Sequence, residues 1–83
     1  MRNTVDHGLE WLDRAMSAAR RTIGDAHTAA MRLDYASQDG VMFDEGQRDA
    51  LKARLHRIAA EARAIEAEIA ALHAERRGEV AAR

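Results

Sequence analysis

Four histidines, His7, His27, His56 and His73, are the side chains of this chain best suited to hold a metal or move a proton near neutral pH. Two ligands share a helical face at Glu-x-x-His or His-x-x-x-His spacing, and neither pattern occurs. The histidines therefore read as surface residues, and no metal is expected. A calcium loop would need oxygens at loop positions 1, 3, 5 and 12 around a glycine at 6. With Gly40 at the sixth place, Asp39 and Ser37 fit, but Tyr35 and Gly46 occupy the first and last. The two most important carboxylates are missing.

Catalysis has no better foothold. The chain lacks cysteine, a glycine-rich phosphate loop and a carboxylate pair set for burial. The expectation is a non-enzyme with no catalytic residue, no cofactor and no small-molecule substrate. Basic residues cluster as Arg20-Arg21, as Lys52, Arg54, Arg57 and Arg63, and as Arg76-Arg77. Asp49, Glu61, Glu66, Glu68 and Glu75 interleave with them. Nucleic-acid proteins generally carry an undiluted basic stripe. The 13 basic and 14 acidic side chains leave a formal net charge of −1, which calls for no polyanion. Nucleic-acid binding is the weakest reading.

The elements that carry these residues follow from composition and spacing. Eighty-three residues make one domain at most. Proline is absent, and alanine, arginine, glutamate and leucine dominate, as in a long helix or coiled coil. The first residues, MRNTVDHGLEWLDR, hold no apolar stretch of signal-peptide length, and nothing approaches the roughly 20 apolar residues of a membrane span. A cytoplasmic location is the default expectation.

Val5, Leu9, Leu12, Met16, Ala19, Ile23, Ala26, Ala30 and Leu33 recur in steps of four and three. That spacing predicts one amphipathic helix from about residue 4 to 37, capped by Asn3 or Thr4. The pattern runs unbroken through Gly24, so one helix is favoured over two. Gly40 can close it in the left-handed conformation. Asp44, with Gln47 three residues on, reads as a capping box that opens a second helix over about 45–77, stopped at Gly78. Its seam is Leu51, Leu55, Ile58, Ala62, Ile65, Ile69 and Leu72. Equal helices joined by a short loop predict an all-α, antiparallel hairpin. Pairing residues whose numbers sum to 86 sets Arg20 by Glu66, Asp34 by Lys52 and Asp13 by His73. The alternative sum of 79 opposes like charges.

A lone hairpin has one contact strip and little interior, so a further surface should be buried elsewhere. The candidate is the alanine face of the second helix, Ala53, Ala60, Ala64, Ala67, Ala71 and Ala74, because small side chains let another helix approach closely. Ala15, Thr22, Ala29 and Ala36 make one flank of the first helix small as well. Together these predict a dimeric four-helix bundle or a larger helical oligomer. The connection supplies a second candidate: Val41, Met42 and Phe43 beside Asp44 and Glu45, an apolar tip with an acidic rim, or a plug folded into the seam. Trp11, off the seam, is a candidate hot spot, or it lies across Ala71 and Ala74. The leading expectation is a helical interaction module, self-associating or serving a helical partner as adaptor or chaperone. In shape alone it is similar to the small hairpin co-chaperones of type III secretion needle subunits, a likeness that no motif carries. The rival is a small inhibitor or anti-defence protein that blocks a larger enzyme with its acidic tip.

Overall fold

The structure is a computed structural model and describes residues 6–41 and 44–82. Two helices, α1 (His7–Gln38) and α2 (Glu45–Ala82), run antiparallel. They form a rod with extents of 64 × 20 × 11 Å. The hairpin is the architecture that the two apolar repeats predict.

The start of α1 differs from expectation. Its cap is Asp6, in extended conformation, whose Oδ1 accepts from the Leu9 N–H at 3.0 Å. Asn3 and Thr4 lie outside the described residues. Asp6 also has a partner on α2: Arg76 Nη2 donates to its Oδ2 at 2.9 Å. Gly8 leaves room for that carboxylate, since a Cβ there would stand 3.0 Å from Asp6 Oδ1. Farther along, α1 passes through Gly24 without a break, as its apolar spacing requires.

The other end of α1 closes as a Schellman motif. The Gly40 N–H donates to the Ser37 carbonyl and the Val41 N–H to the Ala36 carbonyl, at 3.3 and 3.0 Å. Gly40 takes φ +94°, where a side chain would be strained. α2 then begins at Glu45, and the Asp44 carbonyl accepts from the Arg48 N–H at 3.1 Å. Among the described residues no side-chain bond joins Asp44 and Gln47, so the capping box is placed but not closed. α2 also continues through Gly78 to Ala82, past its expected end. Arg76 donates to Glu79 at 3.2 Å across that glycine, and Val80 beyond it is half-buried. These interactions oppose the cost of about 1 kcal/mol for glycine inside a helix.

The register is the one in which residue numbers sum to 86. Arg20 Nε meets Glu66 at 2.8 Å, Lys52 Nζ meets both oxygens of Asp34 at 2.9 and 3.0 Å, and His73 Nε2 meets Asp13 at 3.1 Å. At mid-length only small side chains fill the waist: Ala26, Ala30, Ala59 and Ala62 are the buried apolar residues among those described. Larger residues, such as Leu12, Met16, Leu55 and Ile69, flank the waist half-buried.

One expectation for α2 is overturned. The row facing α1 runs Arg48, Lys52, Leu55, Ala59, Ala62, Glu66, Ile69, His73, Arg76 and Val80. It keeps Leu55, Ala62 and Ile69 of the expected seam, and Leu51 beside it is half-buried too. Ile58, Ile65 and Leu72 instead stand 50%, 41% and 53% exposed. α2 is rolled about its axis so that Lys52, Glu66 and His73 reach their partners on α1, and that roll turns Ile58, Ile65 and Leu72 outward while Leu51 stays half-buried.

Candidate interaction surface

The roll of α2 gives the hairpin two unlike edges. On one, Asp13, Arg20 and Asp34 of α1 meet His73, Glu66 and Lys52, and the Asp6–Arg76 pair closes the far end. His27 and His56 face each other there with ring centroids 5.8 Å apart, and Arg63 Nη2 stands 3.5 Å from His27 Nε2. No spacing within one helix could have disclosed this pair, because it forms across the hairpin. Among the described residues no three histidine, cysteine or acidic side chains come together as a metal site.

Asp6 is the carboxylate most perturbed on this edge. The Leu9 N–H holds it below its ordinary value of 3.8; burial opposes this, and the Arg76 guanidinium and the Gly8 N–H add to the lowering. Arg76 is raised in turn by its hydrogen bonds to Asp6 and Glu79. Its Nε is buried without a hydrogen-bond partner among the described residues, as is that of Arg48 near the tip, whose Nε stands 3.7 Å from Asp49 Oδ1. Two arginines thus terminate the apolar seam.

The other edge is apolar. Leu51, Ile58, Ile65 and Leu72 form a ridge at seven-residue spacing on α2, and Gly8, Ala15, Thr22, Ala29 and Ala36 form a small row at the same spacing on α1. Two depressions, open to solvent, mark where ridge and row meet. One, of about 350 Å³, lies among Ala29, Leu33, Leu51 and Ile58; the other, of about 440 Å³, lies among Gly8, Leu12, Leu72 and Glu79. Arg54 also borders the first, and Glu75 and Arg76 border the second beside Glu79, so the depression at the chain-end side is the more polar of the two.

The remaining candidates separate cleanly in space. Ala53, Ala60, Ala64, Ala67, Ala71 and Ala74 are all exposed on the back of α2, away from α1. Trp11 does not lie across Ala71 and Ala74: it is 65% exposed, with the Arg14 guanidinium 5.0 Å from its ring centroid. Its position, three residues after Gly8 and four before Ala15, sets it on the outer rim of the apolar edge. At the tip, Val41 is half in solvent and does not plug the seam, and Asp44 is exposed. Met42 and Phe43 lie outside the described residues, as does the side chain of Glu45.

Sequence reasoning missed the ridge as a surface, although the signal was present. The three charge pairings that select the register already require Lys52, Glu66 and His73 to face α1. Positions one residue earlier must then turn away. No helix among the described residues is long and apolar enough to cross a membrane. Compared with known proteins, the chain matches no family model, no curated protein and no solved structure, so this surface is interpreted from its own chemistry.

Proposed function

We propose that this chain is a non-enzymatic helix-to-helix interaction module, acting by coiled-coil-like self-association or by seating a helix of a partner as an adaptor or chaperone. The observation that carries the reading is the ridge of Ile58, Ile65 and Leu72, which stands about half in water, with half-buried Leu51 at its tip end, although the spacing is that of a packing seam. A helix of a globular protein buries a stripe wider than a two-row coiled-coil seam. The ridge is the third row of such a stripe, and the described residues leave Ile58, Ile65 and Leu72 about half exposed.

The thin interior supports the same conclusion. A buried methyl group contributes about 0.8 kcal/mol, and the waist offers four alanines. Folded domains need roughly 5–15 kcal/mol of net stability. Helices of this length therefore gain much of their stability from a second surface.

The test is helicity and melting of the purified chain across a concentration series, beside an Ile58→Glu/Ile65→Glu variant. Association should raise the melting temperature with concentration, and the variant should lose that dependence. A concentration-independent monomer that binds no apolar dye through the ridge would sink the reading.

A further inference from the structure

We infer that the occupant of the apolar edge is a second copy of this chain, related by a two-fold axis parallel to the rod, with both hairpin tips at the same end. The inference rests on the interaction reading above and adds the partner, the face and the orientation.

Area is the first ground. A compact monomer of 9.2 kDa exposes about 4,900 Å² by the usual scaling of surface with mass. This chain exposes 6405 Å², roughly 1,500 Å² more than that scaling gives. A standard stable interface buries about 800 Å² per partner, and permanent ones bury more. The excess suits a partner that runs the length of the rod. A second copy has that length by construction.

Shape supplies the orientation. Because the two helices pair at sums near 86, Ile65 stands level with Thr22, Ile58 with Ala29 and Leu51 with Ala36. Each large side chain of α2 therefore has a small one of α1 at its own height. A two-fold axis along the rod lays α2 of one copy on α1 of the other without changing any height. Every Leu or Ile then faces Ala or Thr across the interface, large into small, on both sides at once. An axis across the rod would instead set α2 on α2 and α1 on α1, ridge against ridge and hollow against hollow. Both arrangements make every neighbouring helix pair antiparallel, so helix dipoles do not choose between them and the fit of large onto small side chains does. The alanine face of α2 stays on the outside of the bundle.

The charge pattern indicates how the contact should respond to salt. The rim carries Asp25, Arg32, Arg54, Glu61 and Glu68, both signs mixed. Association is accordingly driven by apolar burial, with little dependence on ionic strength.

The experiment combines solution mass with one distance, and uses the full chain. It contains no cysteine, so Gln38→Cys, at an exposed site beside the tip, gives a single spin-label position. The expected result is a dimer with a label-to-label distance below about 30 Å, since diagonal helices of a bundle with neighbour spacings of about 8–10 Å stand roughly 14 Å apart before the labels are added. Ile58→Glu/Ile65→Glu should convert it to a monomer with a Kd raised at least about a hundredfold, while Ala60→Glu/Ala67→Glu should remain dimeric.

A distance approaching the 64 Å length of the rod would overturn the axis. A dimer dissolved by the Ala60/Ala67 pair and not by the Ile58/Ile65 pair would overturn the face. A helical monomer at all concentrations that binds an apolar dye, with binding lost in the Ile58/Ile65 variant, would overturn the second copy yet keep the ridge as a surface for a different helix. A monomer that binds no dye would overturn the second copy and the interaction reading together.

Discussion

On the charged edge, Lys52 closes on both oxygens of Asp34 and Arg20 closes on Glu66, so residues along the rod find partners within the chain. On the apolar edge, Ile58 and Leu72 stand about half in water opposite alanine and glycine. The two edges share the heptad and differ in what they hold. Exposed ion pairs each contribute about 0–1 kcal/mol, too little to build a fold on, but opposing like charges would reject a wrong register. Burying a Leu or Ile side chain in full is worth about 1.5–3 kcal/mol, and it discriminates poorly among apolar partners. Under the proposed self-association the hairpin would divide the work: one edge selects the register and roll of its helices, and the other holds apolar surface for a partner.

That division should fail first at the ridge. Ile58→Glu/Ile65→Glu removes two buried contacts per chain in the dimer and places charge in their stead, so melting should drop by well over ten degrees and become independent of concentration. Two substitutions on the opposite edge, Arg20→Ala with Lys52→Ala, should leave the solution mass unchanged. The next largest effect belongs to the waist between the edges. Ala59 is 1% exposed, and Ala59→Leu would force the helices apart at a cost of about 1–3 kcal/mol, read as a lower midpoint in denaturant.

Gly24→Ala has the opposite sign. A Cβ at Gly24 meets nothing within 4 Å, so the variant should gain about 1 kcal/mol from helix propensity alone and melt higher. A double-mutant cycle on Arg20 and Glu66 should return a coupling of only a few tenths of a kcal/mol that shrinks in salt. A coupling several times larger would mean that the charged edge stabilises the fold as well as aligning it. The most local effect comes from acid. Asp6 titrates below its ordinary value in the folded chain, so its contribution is complete above about pH 4 and disappears as pH falls through the folded value. Amide exchange over the first turn of α1 should accelerate there, and Asp6→Asn should abolish that pH dependence.

Helix type, hairpin topology and register were legible from residue types alone, because the heptad and three charge pairings agreed on them. The roll of α2 was not, because apolar spacing selects the widest stripe and cannot say which rows meet the near helix and which face outward. Leu51, Ile58, Ile65 and Leu72 looked like core for that reason. Two boundaries were misplaced through local rules that long-range contacts overrode. Asn3 and Thr4 are good capping residues, yet Asp6 caps α1 with Arg76 as an additional partner. Gly78 is a good stop signal, yet Val80 and the Arg76–Glu79 bond carry α2 past it. The His27–His56 contact could be found only once the register and the roll were both known.

The single register also sets an order of assembly along the chain. Asp34 and Lys52 are 18 residues apart, Arg20 and Glu66 are 46 apart, and Asp6 and Arg76 are 70 apart. Closing the short loop at Gly40 is the costly entropic step. Each later contact then forms between segments already brought near, and a doubling of loop length adds only about 0.6 kcal/mol. Those separations favour zipping from the tip toward the chain ends. The same geometry run backwards makes the Asp6–Arg76 end the place where the rod first opens.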